Sequence, residues 1–159
     1  MLFFKTIKRR ELPALERMGC VAQIISGDKI VVVTFHPTVV DWETETEVTV
    51  SVPSSLRDVE TGYSDTVLLG CVSDGVPSLL DILMMHKKSQ RQRPWRARVA
   101  IMEGMVSTIG ARFNPRLRMA EIKQSGLIRV FDITADSGGM GLLLRCPGKL
   151  APLLCKAEG

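Results

Sequence analysis

The segment from His86 to Arg98, HKKSQRQRPWRAR, carries the side chains best suited to binding anions. Arginine guanidinium groups bind phosphates in a bidentate manner, and an indole such as that of Trp95 can stack on a base. The segment contains no acid and six bases, which are Lys87, Lys88, Arg91, Arg93, Arg96 and Arg98. Arg112, Arg116 and Arg118 extend the same basic region. The pattern predicts contacts with the phosphate backbone of RNA, without choice of sequence.

Charge is divided unevenly along the rest of the chain. The stretch from Asp28 to Asp81 has ten acids against two bases, a net charge of −8. The stretch from Lys87 to Lys123 has ten bases against two acids, a net charge of +8. Such asymmetry predicts a basic face toward phosphates or toward an acidic protein surface. Two alternatives remain open: the two halves attract each other within the fold, or the basic segment is a solvated loop.

The sequence offers few residues for metal binding or nucleophilic catalysis. The four cysteines, Cys20, Cys71, Cys146 and Cys155, form no C-x-x-C pair, and there are only two histidines. This argues against a zinc site, and no cofactor is expected. The cysteines have apolar neighbours, which indicates small buried side chains, no disulfide framework and a reducing compartment. Asp74-Gly75 is typical of a hairpin turn rather than of a catalytic aspartate.

Length and hydropathy predict one domain over residues 1–159, with 45% hydrophobic residues to form its core. No apolar run approaches the roughly 20 residues that a membrane-spanning helix needs. The basic segment of residues 1–10, MLFFKTIKRR, fits a transit peptide, an RNA-binding arm or simply a first strand.

The N-terminal half has the signals of strands. Two β-rich runs, from Val21 to Ile25 and from Ile30 to Phe35, flank Ser-Gly-Asp and predict a hairpin. Alternation from Glu45 to Val52 predicts a half-buried strand. Two further apolar runs, from Thr66 to Ser73 and from Ser78 to Met85, add two strands.

The C-terminal half adds helices. Pro94 opens a helix whose residues Trp95, Val99, Met102 and Val106 fall on one face, so Trp95 is expected to pack in the core rather than stack on a base. A second short helix is predicted from Pro115 to Gln124, capped by Asn114. Three more strands are predicted from Leu127 to Thr134, Gly141 to Cys146 and Leu150 to Lys156. The fold class is therefore α+β: antiparallel sheets with one or two packed helices.

The order of these elements resembles the adenylation, or nucleotidyltransferase, domain of ATP-dependent DNA and RNA ligases and mRNA capping enzymes. The stretch from Val67 to Val106 resembles the family's D-G-E strand, its following strand and a helix. Gly70 matches the central glycine and Asp81 the strand-ending aspartate. SGGMGLLLRCPG, Ser137 to Gly148, resembles the family's E-G-h-V-h-(K/R) strand, and LAPLLCK its closing strand. ERMGCVAQIISGDKIVVVT resembles the strand of the nucleophile, K-x-D-G, and its partner.

The family's reactive residues are replaced in this comparison. Arg17 stands for the nucleophilic lysine, and Gly19 and Cys20 for the aspartate and glycine that follow it. The remaining replaced positions are Leu69 and Cys71 for the two D-G-E carboxylates, Leu80 for the stacking aromatic, Met140 for the metal-side glutamate and Leu154 for one closing lysine. Of that last pair only Lys156 remains.

These replacements remove the groups that nucleotidyl transfer needs. The reaction requires a lysine amine as nucleophile and carboxylates that hold a divalent cation. A protonated guanidinium is a poor nucleophile, and Leu, Cys and Met offer no oxygen ligands to magnesium. The resemblance therefore implies a pseudoenzyme with no catalytic or metal-binding residues. The family's enzymes also carry an OB-fold domain, for which the chain is expected to leave no room after Gly159.

Three functions follow from these features. The first is a non-catalytic structural subunit that binds RNA and neighbouring proteins in a large ribonucleoprotein, such as a mitochondrial ribosome, without membrane or metal. The second is a divergent active nucleotidyltransferase with a displaced lysine, Lys29 or Lys156. The third is an accessory subunit that binds protein alone through the acidic strand from Asp41 to Glu47. The expected location is the mitochondrial or another organellar matrix, with the cytoplasm as the alternative.

Overall fold

The computed structural model of the chain describes residues 4–35, 40–44, 63, 65–73, 76–113 and 117–157. Several predictions above lie outside these residues: the strand from Glu45 to Val52, the turn at Asp74-Gly75, the helix cap at Asn114 and the last part of the acidic strand from Asp41 to Glu47. Arg116 lies outside them as well.

The described residues form a mixture of strands and helices in an α+β arrangement. The strands are β1 (Lys5–Ile7), β2 (Val21–Ile25), β3 (Val31–Phe35), β4 (Val40–Thr44), β5 (Thr66–Ser73), β6 (Val76–Met85), β7 (Lys88–Ser89), β8 (Arg118–Met119), β9 (Ile122–Lys123), β10 (Gly141–Arg145) and β11 (Leu153–Lys156). The α-helices are α1 (Leu12–Arg17), α2 (Trp95–Phe113) and α3 (Leu127–Asp136). A 3₁₀ turn, Arg9–Glu11, precedes α1.

The chain divides into two compact units. The first unit contains residues 30–119, and the second contains residues 2–29 together with residues 120–159. Over the described residues, each unit contains a sheet and a hydrophobic core. A single domain over residues 1–159 stays a prediction.

The sheet of the first unit has the strand order β4-β3-β5-β6-β7, and β8 lies beside β6. All its pairings are antiparallel except the parallel pair of β6 and β8. The register of β5 and β6 shifts between Leu69 and Gly70. A Cβ atom at Gly70 would lie 2.8 Å from the carbonyl oxygen of Ser78. Only glycine therefore allows the two strands to approach this closely at the irregularity.

Helix α2 covers one face of this sheet. Its buried side chains Met102, Met105 and Ile109 pack with Leu68 and Leu79 of the two central strands. Trp95, Val99 and Val106 pack at the margin of the same core, as their spacing predicts. Complete burial of each such apolar side chain contributes about 1.5–3 kcal/mol, so this stripe fixes the helix to the sheet.

The sheet of the second unit has the strand order β1-β11-β10-β2-β9. Strands β2, β10 and β11 are antiparallel neighbours, and β1 is parallel to β11. Leu127 and Phe131 of α3 pack with Leu142 and Leu144 of β10 in its core, together with Leu12 of α1. Mixed, mainly antiparallel sheets with packed helices confirm the predicted fold class.

The predicted hairpin of residues 21–25 and 30–35 is wrong in its pairing, although both strands exist. Strand β2 pairs with β10 and β9, whereas β3 pairs with β4 and β5 in the other sheet. The connection at Ser26–Ile30 therefore leads from one unit into the other. Turn signals identify where a strand ends, but the partner of each strand depends on burial of its apolar face.

Two predictions in the C-terminal half are also wrong. The segment from Leu127 to Thr134, predicted as a strand, is helical. Leu127 and Phe131, four residues apart, lie on the buried face, and packing against the sheet overrides propensity. The helix predicted from Pro115 to Gln124 is replaced, over its described residues, by two short strands: β8 pairs with β6, and β9 with β2.

The N-terminal segment belongs to the fold of the second unit. Residues 5–7 form β1, so a strand is present within this segment, and the choice among its predicted roles stays open. Arg9 then donates two hydrogen bonds of 2.8 Å, from Nε and Nη2, to the carboxylate of Asp132 on α3. The hydrogen bond and charge of Arg9 lower the pKa of Asp132. The pair attaches the exposed start of the chain to α3.

Candidate functional site

The basic segment begins in a tight turn. β6 ends at Met85, which pairs with Lys88 of β7, so His86 and Lys87 are the two central residues of the turn. Both have positive φ, 48° for His86 and 69° for Lys87. A two-residue hairpin with positive φ at both central positions is a type I′ turn, and it is usually built from Asn-Gly.

Backbone hydrogen bonds then hold the segment between β7 and α2. The backbone N–H of Gln90, a residue only 5% exposed, donates to the carbonyl of Leu83 at 2.8 Å. The N–H of Arg93 donates to the carbonyl of Gln90 at 3.1 Å. The Pro94 carbonyl accepts from the N–H groups of Ala97 and Arg98, which starts α2. Burial of Gln90 therefore presents the bases on either side of it to solvent.

Five of the six predicted bases are exposed: Lys87, Lys88, Arg91, Arg93 and Arg96. Arg98 is 3% exposed, and its Nη1 lies 3.4 Å from Oδ2 of Asp81, which is also buried. Its guanidinium carbon lies 5.9 Å from the ring centroid of half-buried Trp95. Burial leaves Arg98 unavailable to a phosphate. Trp95 packs at the margin of the core, as its helical spacing predicts.

The predicted extension of the basic region is only partly described. Arg118 is exposed on β8, and its Nε donates to Oγ of Ser78 at 2.8 Å. Arg112 lies in α2, and Arg116 lies outside the described residues. Lys87 Nζ lies 4.0 Å from Oδ2 of Asp65, with the lysine side chain 80% exposed. The phosphate contacts assigned to the bases other than Arg98 stay predictions.

In the first unit the positions that the sequence comparison matched to the family's motifs are buried. Leu69 is 2% exposed, and Cys71 and Leu80 are fully buried. Leu69 lies directly opposite Asp81 in the register of β5 and β6. Oδ1 of Asp81 accepts a hydrogen bond of 2.8 Å from the N–H of Ile82, and Oδ2 faces Arg98. The aspartate that matches the family thus has a structural role in an ion pair.

In the second unit the segment matched to the nucleophile motif lies at the end of α1. Arg17 is exposed at the last position of the helix. Gly19 has φ of 87°, a conformation that favours glycine. Oε1 of Glu16 accepts a hydrogen bond of 2.8 Å from the N–H of Leu127, the first residue of α3. Glu16 thereby satisfies one of the N–H groups that a helix start leaves unpaired.

Cys20 and Cys146 form a disulfide, which corrects the prediction that the chain has none. Cys20 directly precedes β2 and Cys146 directly follows β10, and Arg145 pairs with Val21 in the adjacent register position. The two Cα atoms lie 4.2 Å apart although 126 positions separate them in sequence. The pair was invisible in the sequence because only strand pairing brings it together. Cys71 and Cys155 are buried thiols outside the disulfide, as predicted, and burial raises the pKa of Cys155 to about 11.

Met140 and Lys156 line the same cavity of about 1110 Å³ in the second unit. Met140 is 7% exposed, and its N–H donates to the carbonyls of Ile25 and Gly27. Lys156 is exposed and lies opposite Gly141 in the pairing of β10 and β11. Lys8, Arg10, Glu11 and Asp28 also line the cavity, and sequence reasoning did not single them out for a site. Leu154 is buried at 6% exposure.

Gly141 explains part of the glycine-rich sequence before β10. Its φ is 143°, and a Cβ atom there would overlap the carbonyl oxygen of Cys155 on β11. Glycine is therefore needed for strand packing, whether or not a ligand binds nearby.

Neither a metal centre nor a membrane span is found in the described part of the chain. No group of three or more His, Cys, Asp or Glu side chains is arranged to hold a metal ion among those residues. None of the helices there has the length and apolar character that crossing a bilayer requires.

No protein-family model and no curated protein matches the chain. Solved structures do. A mycobacterial DNA ligase D complexed with ATP and MES aligns with a TM-score of 0.60 and 16% identity over 92% of this chain and 57% of that one. A structure named Pmar-Lig_PreS3 aligns with a TM-score of 0.62 and 14% identity over 98% and 47% of the two chains.

The ligase domain of M. tuberculosis LigD aligns with a TM-score of 0.55 and 13% identity over 91% of this chain and 53% of that one. The chain thus spans about half the length of the solved structures that it matches. At these identities the likeness concerns the fold. Together with the order of strands and helices, it confirms the resemblance in architecture: the chain has a ligase-type nucleotidyltransferase fold.

Proposed function

We propose that this chain is a non-catalytic relative of the ligase-type nucleotidyltransferases that acts as a structural, RNA- and protein-binding subunit of a large ribonucleoprotein, such as a mitochondrial ribosome. The observation that carries the proposal is the exposed basic segment. Lys87, Lys88, Arg91, Arg93 and Arg96 are exposed, and the sequence contains no acid between Asp81 and Glu103. Clustered cations of this kind supply the sequence-independent part of nucleic-acid affinity.

The residues at the matched catalytic positions support the absence of catalysis. If Arg17 occupies the lysine position, the group at that position is a guanidinium, which is a poor nucleophile. The positive φ of Gly19 supports an alternative alignment in which Gly19 is the glycine of K-x-D-G. Glu16 then occupies the lysine position and Met18 the aspartate position. Neither alignment supplies an amine, and the Glu16 carboxylate is already bonded to the start of α3.

The disulfide is relevant to the compartment. Protein disulfides persist in oxidising compartments and are rare where glutathione and thioredoxin keep thiols reduced. A matrix or cytoplasmic location therefore requires Cys20 and Cys146 to be protected from reduction, or to be thiols in the cell. We retain the organellar matrix as the proposed location, and the redox state of these cysteines in the cell tests it.

Native sedimentation tests the proposal. The tagged chain is sedimented from its own cells with and without ribonuclease, and the associated RNA and proteins are identified. We expect the chain to sediment with a large particle that dissociates on ribonuclease treatment. A variant with Arg91, Arg93 and Arg96 replaced by glutamine should sediment as a light species. A particle that resists ribonuclease would instead support a protein-only accessory subunit that binds through the acidic residues from Asp41 to Glu47.

A divergent active nucleotidyltransferase is the second candidate, because Lys156 faces the cavity that Met140 also lines. Incubation with labelled ATP or GTP and Mg²⁺ or Mn²⁺ would attach a nucleotide to this amine. A labelled adduct that survives denaturation and is absent from K156R, or from K29R for the other displaced lysine, would establish this candidate. No adduct in any of these proteins is the result that the non-catalytic proposal expects.

A further inference from the structure

Three non-glycine residues with positive φ lie close together in the first unit. They are Asp65 at 58°, His86 at 48° and Lys87 at 69°, and they are the only ones among the described residues. Residues with a Cβ atom seldom adopt this conformation, and such strain is concentrated at ligand-binding and switching sites. Asn-Gly would form the same type I′ turn at lower cost. The identity of His86 and Lys87 is therefore not explained by the turn itself.

Contacts with the start of β5 hold the strained turn in place. The N–H of Lys87 donates to the carbonyl of Asp65 at 3.0 Å, and the N–H of His86 donates to Oγ1 of Thr66 at 3.3 Å. The N–H of Asp65 in turn donates to the carbonyl of Phe35 on β3 at 2.7 Å. The turn is thus anchored to two central strands, which fixes the backbone position from which the His86 side chain extends.

The imidazole of His86 stacks on the ring of Tyr63. The ring centroids are 6.2 Å apart and the ring planes differ by 14°. Tyr63 is half-buried and packs against the core of the first unit, whereas His86 is exposed. The His86 ring is therefore exposed at the surface and contacts Tyr63, which itself packs against the core.

Cations follow this ring along the chain. Lys87 is 80% exposed, and Lys88 and Arg91 are exposed as well. An aromatic surface bordered by Lys and Arg is the arrangement that binds single-stranded nucleic acid, because an unpaired base stacks while its neighbouring phosphates meet the cations. In a duplex the faces of the bases are occupied by their neighbours, so only the phosphate contacts remain.

We propose that the stacked Tyr63–His86 pair is a platform for one unpaired base of single-stranded RNA, with Lys87 and Lys88 binding the flanking phosphates. The inference rests on the proposed RNA-binding function and adds to it a preference for single strands over duplexes. It names a base-contacting site in a surface that would otherwise contact phosphates alone.

Equilibrium binding to the full chain tests this, with fluorescence anisotropy of a short unstructured RNA and of the same sequence in a duplex. H86N removes the ring, and asparagine tolerates positive φ, so the turn is retained. Loss of one stacked base should weaken single-strand binding roughly 5- to 150-fold. Duplex binding should change less than about twofold, because it uses the phosphates only.

K87G is the matched control, since glycine relieves the strain and removes a charge while leaving the ring. For K87G the slope of log K against log salt should decrease in magnitude by about 0.7, the value for one lost phosphate contact on a single strand. An RNA with 2-aminopurine reports stacking directly. Its fluorescence should change on binding wild type and K87G, but not on binding H86N. Y63L, which keeps an apolar packing group, replaces H86N if that variant fails to fold.

The outcomes separate this inference from the proposed function. Salt-dependent RNA binding with H86N equal to wild type, or with duplex and single strand bound equally, overturns the platform and leaves the basic segment as the RNA-binding surface. No measurable binding of either RNA by the wild-type chain contradicts the proposed function itself.

Discussion

The carboxylate of Asp81 on β6 and the guanidinium of Arg98 on α2 form a buried ion pair, with Oδ2 and Nη1 3.4 Å apart and both side chains 3% exposed. The pair connects the sheet of the first unit to its helix. It gives a structural function to an aspartate that matches the strand-ending aspartate of the family and to an arginine that was predicted to contact phosphate. The charge pattern of a sequence cannot distinguish a buried structural arginine from an exposed one, because it carries no information on burial.

Removing one partner of this pair should destabilise the chain. R98M leaves the Asp81 carboxylate buried without its cation, and breaking such a pair typically costs about 3–5 kcal/mol. The free energy of unfolding from urea titration measures this. R96M, an exposed neighbour, should change it by less than about 0.5 kcal/mol. Equal effects of the two substitutions would contradict the structural role of Arg98.

The exposed bases should control the salt dependence of RNA binding. Replacing Arg91, Arg93 and Arg96 by glutamine removes three phosphate contacts, so the slope of log K against log salt should fall by about 2 on single-stranded RNA. The measurement is a titration at several salt concentrations. The control replaces Arg17, Arg129 and Lys149, which are exposed bases in the second unit, and should leave the slope unchanged. A similar decrease in the control would indicate that RNA binding depends on the net charge of the chain and not on the basic segment.

The Cys20–Cys146 disulfide should stabilise the chain through its long loop of 126 positions. Reduction, or the C20S/C146S double variant, is expected to lower the free energy of unfolding by about 2–4 kcal/mol, mainly because the unfolded chain regains freedom. Alkylation in urea followed by mass spectrometry should modify Cys71 and Cys155 of the oxidised chain and leave Cys20 and Cys146 blocked. Modification of all four before reduction would show that the disulfide is absent.

The thiol of Cys155 should react slowly with alkylating reagents in the folded chain, whether the Cys20–Cys146 disulfide is formed or reduced. Burial raises its pKa to about 11, so the thiolate is scarce at neutral pH and the side chain is inaccessible. Iodoacetamide at pH 8 should therefore modify Cys155 in the native chain much more slowly than in urea. Because the folded pKa is raised above 9.0, the neutral thiol contributes stability that is lost as pH rises from about 9 to about 11.

The Arg9–Asp132 pair should stabilise the start of the chain only when Asp132 is ionised. Its pKa is lowered in the folded state, so the contribution is present above the ordinary value of 3.8 and is lost as pH falls through the lower folded value. D132N should reduce the melting temperature at pH 7 and match wild type in strong acid. D136N, at the exposed end of the same helix, is the control. A difference that persists in strong acid would point to packing instead of charge.

Hydrophobic pattern in the sequence determined most strands, the long helix and the ligase-like order of elements. The stripe of Trp95, Val99, Met102 and Val106 predicted the buried face of α2, because a helix repeats every 3.6 residues in any context. The replacements assigned to the motif positions, from Arg17 to Leu154, also come from residue type in the sequence, and they stay a prediction. Both kinds of information are local along the chain.

Tertiary structure decided what depends on distant partners. It made residues 127–136 a helix, because Leu127 and Phe131 pack on β10. It assigned β2 and β3 to different sheets, joined Cys20 to Cys146, and buried Arg98 while leaving Arg96 exposed. Each of these results depends on which surfaces lose contact with water when the chain folds. That quantity is set by long-range packing, and the order of residues alone does not contain it.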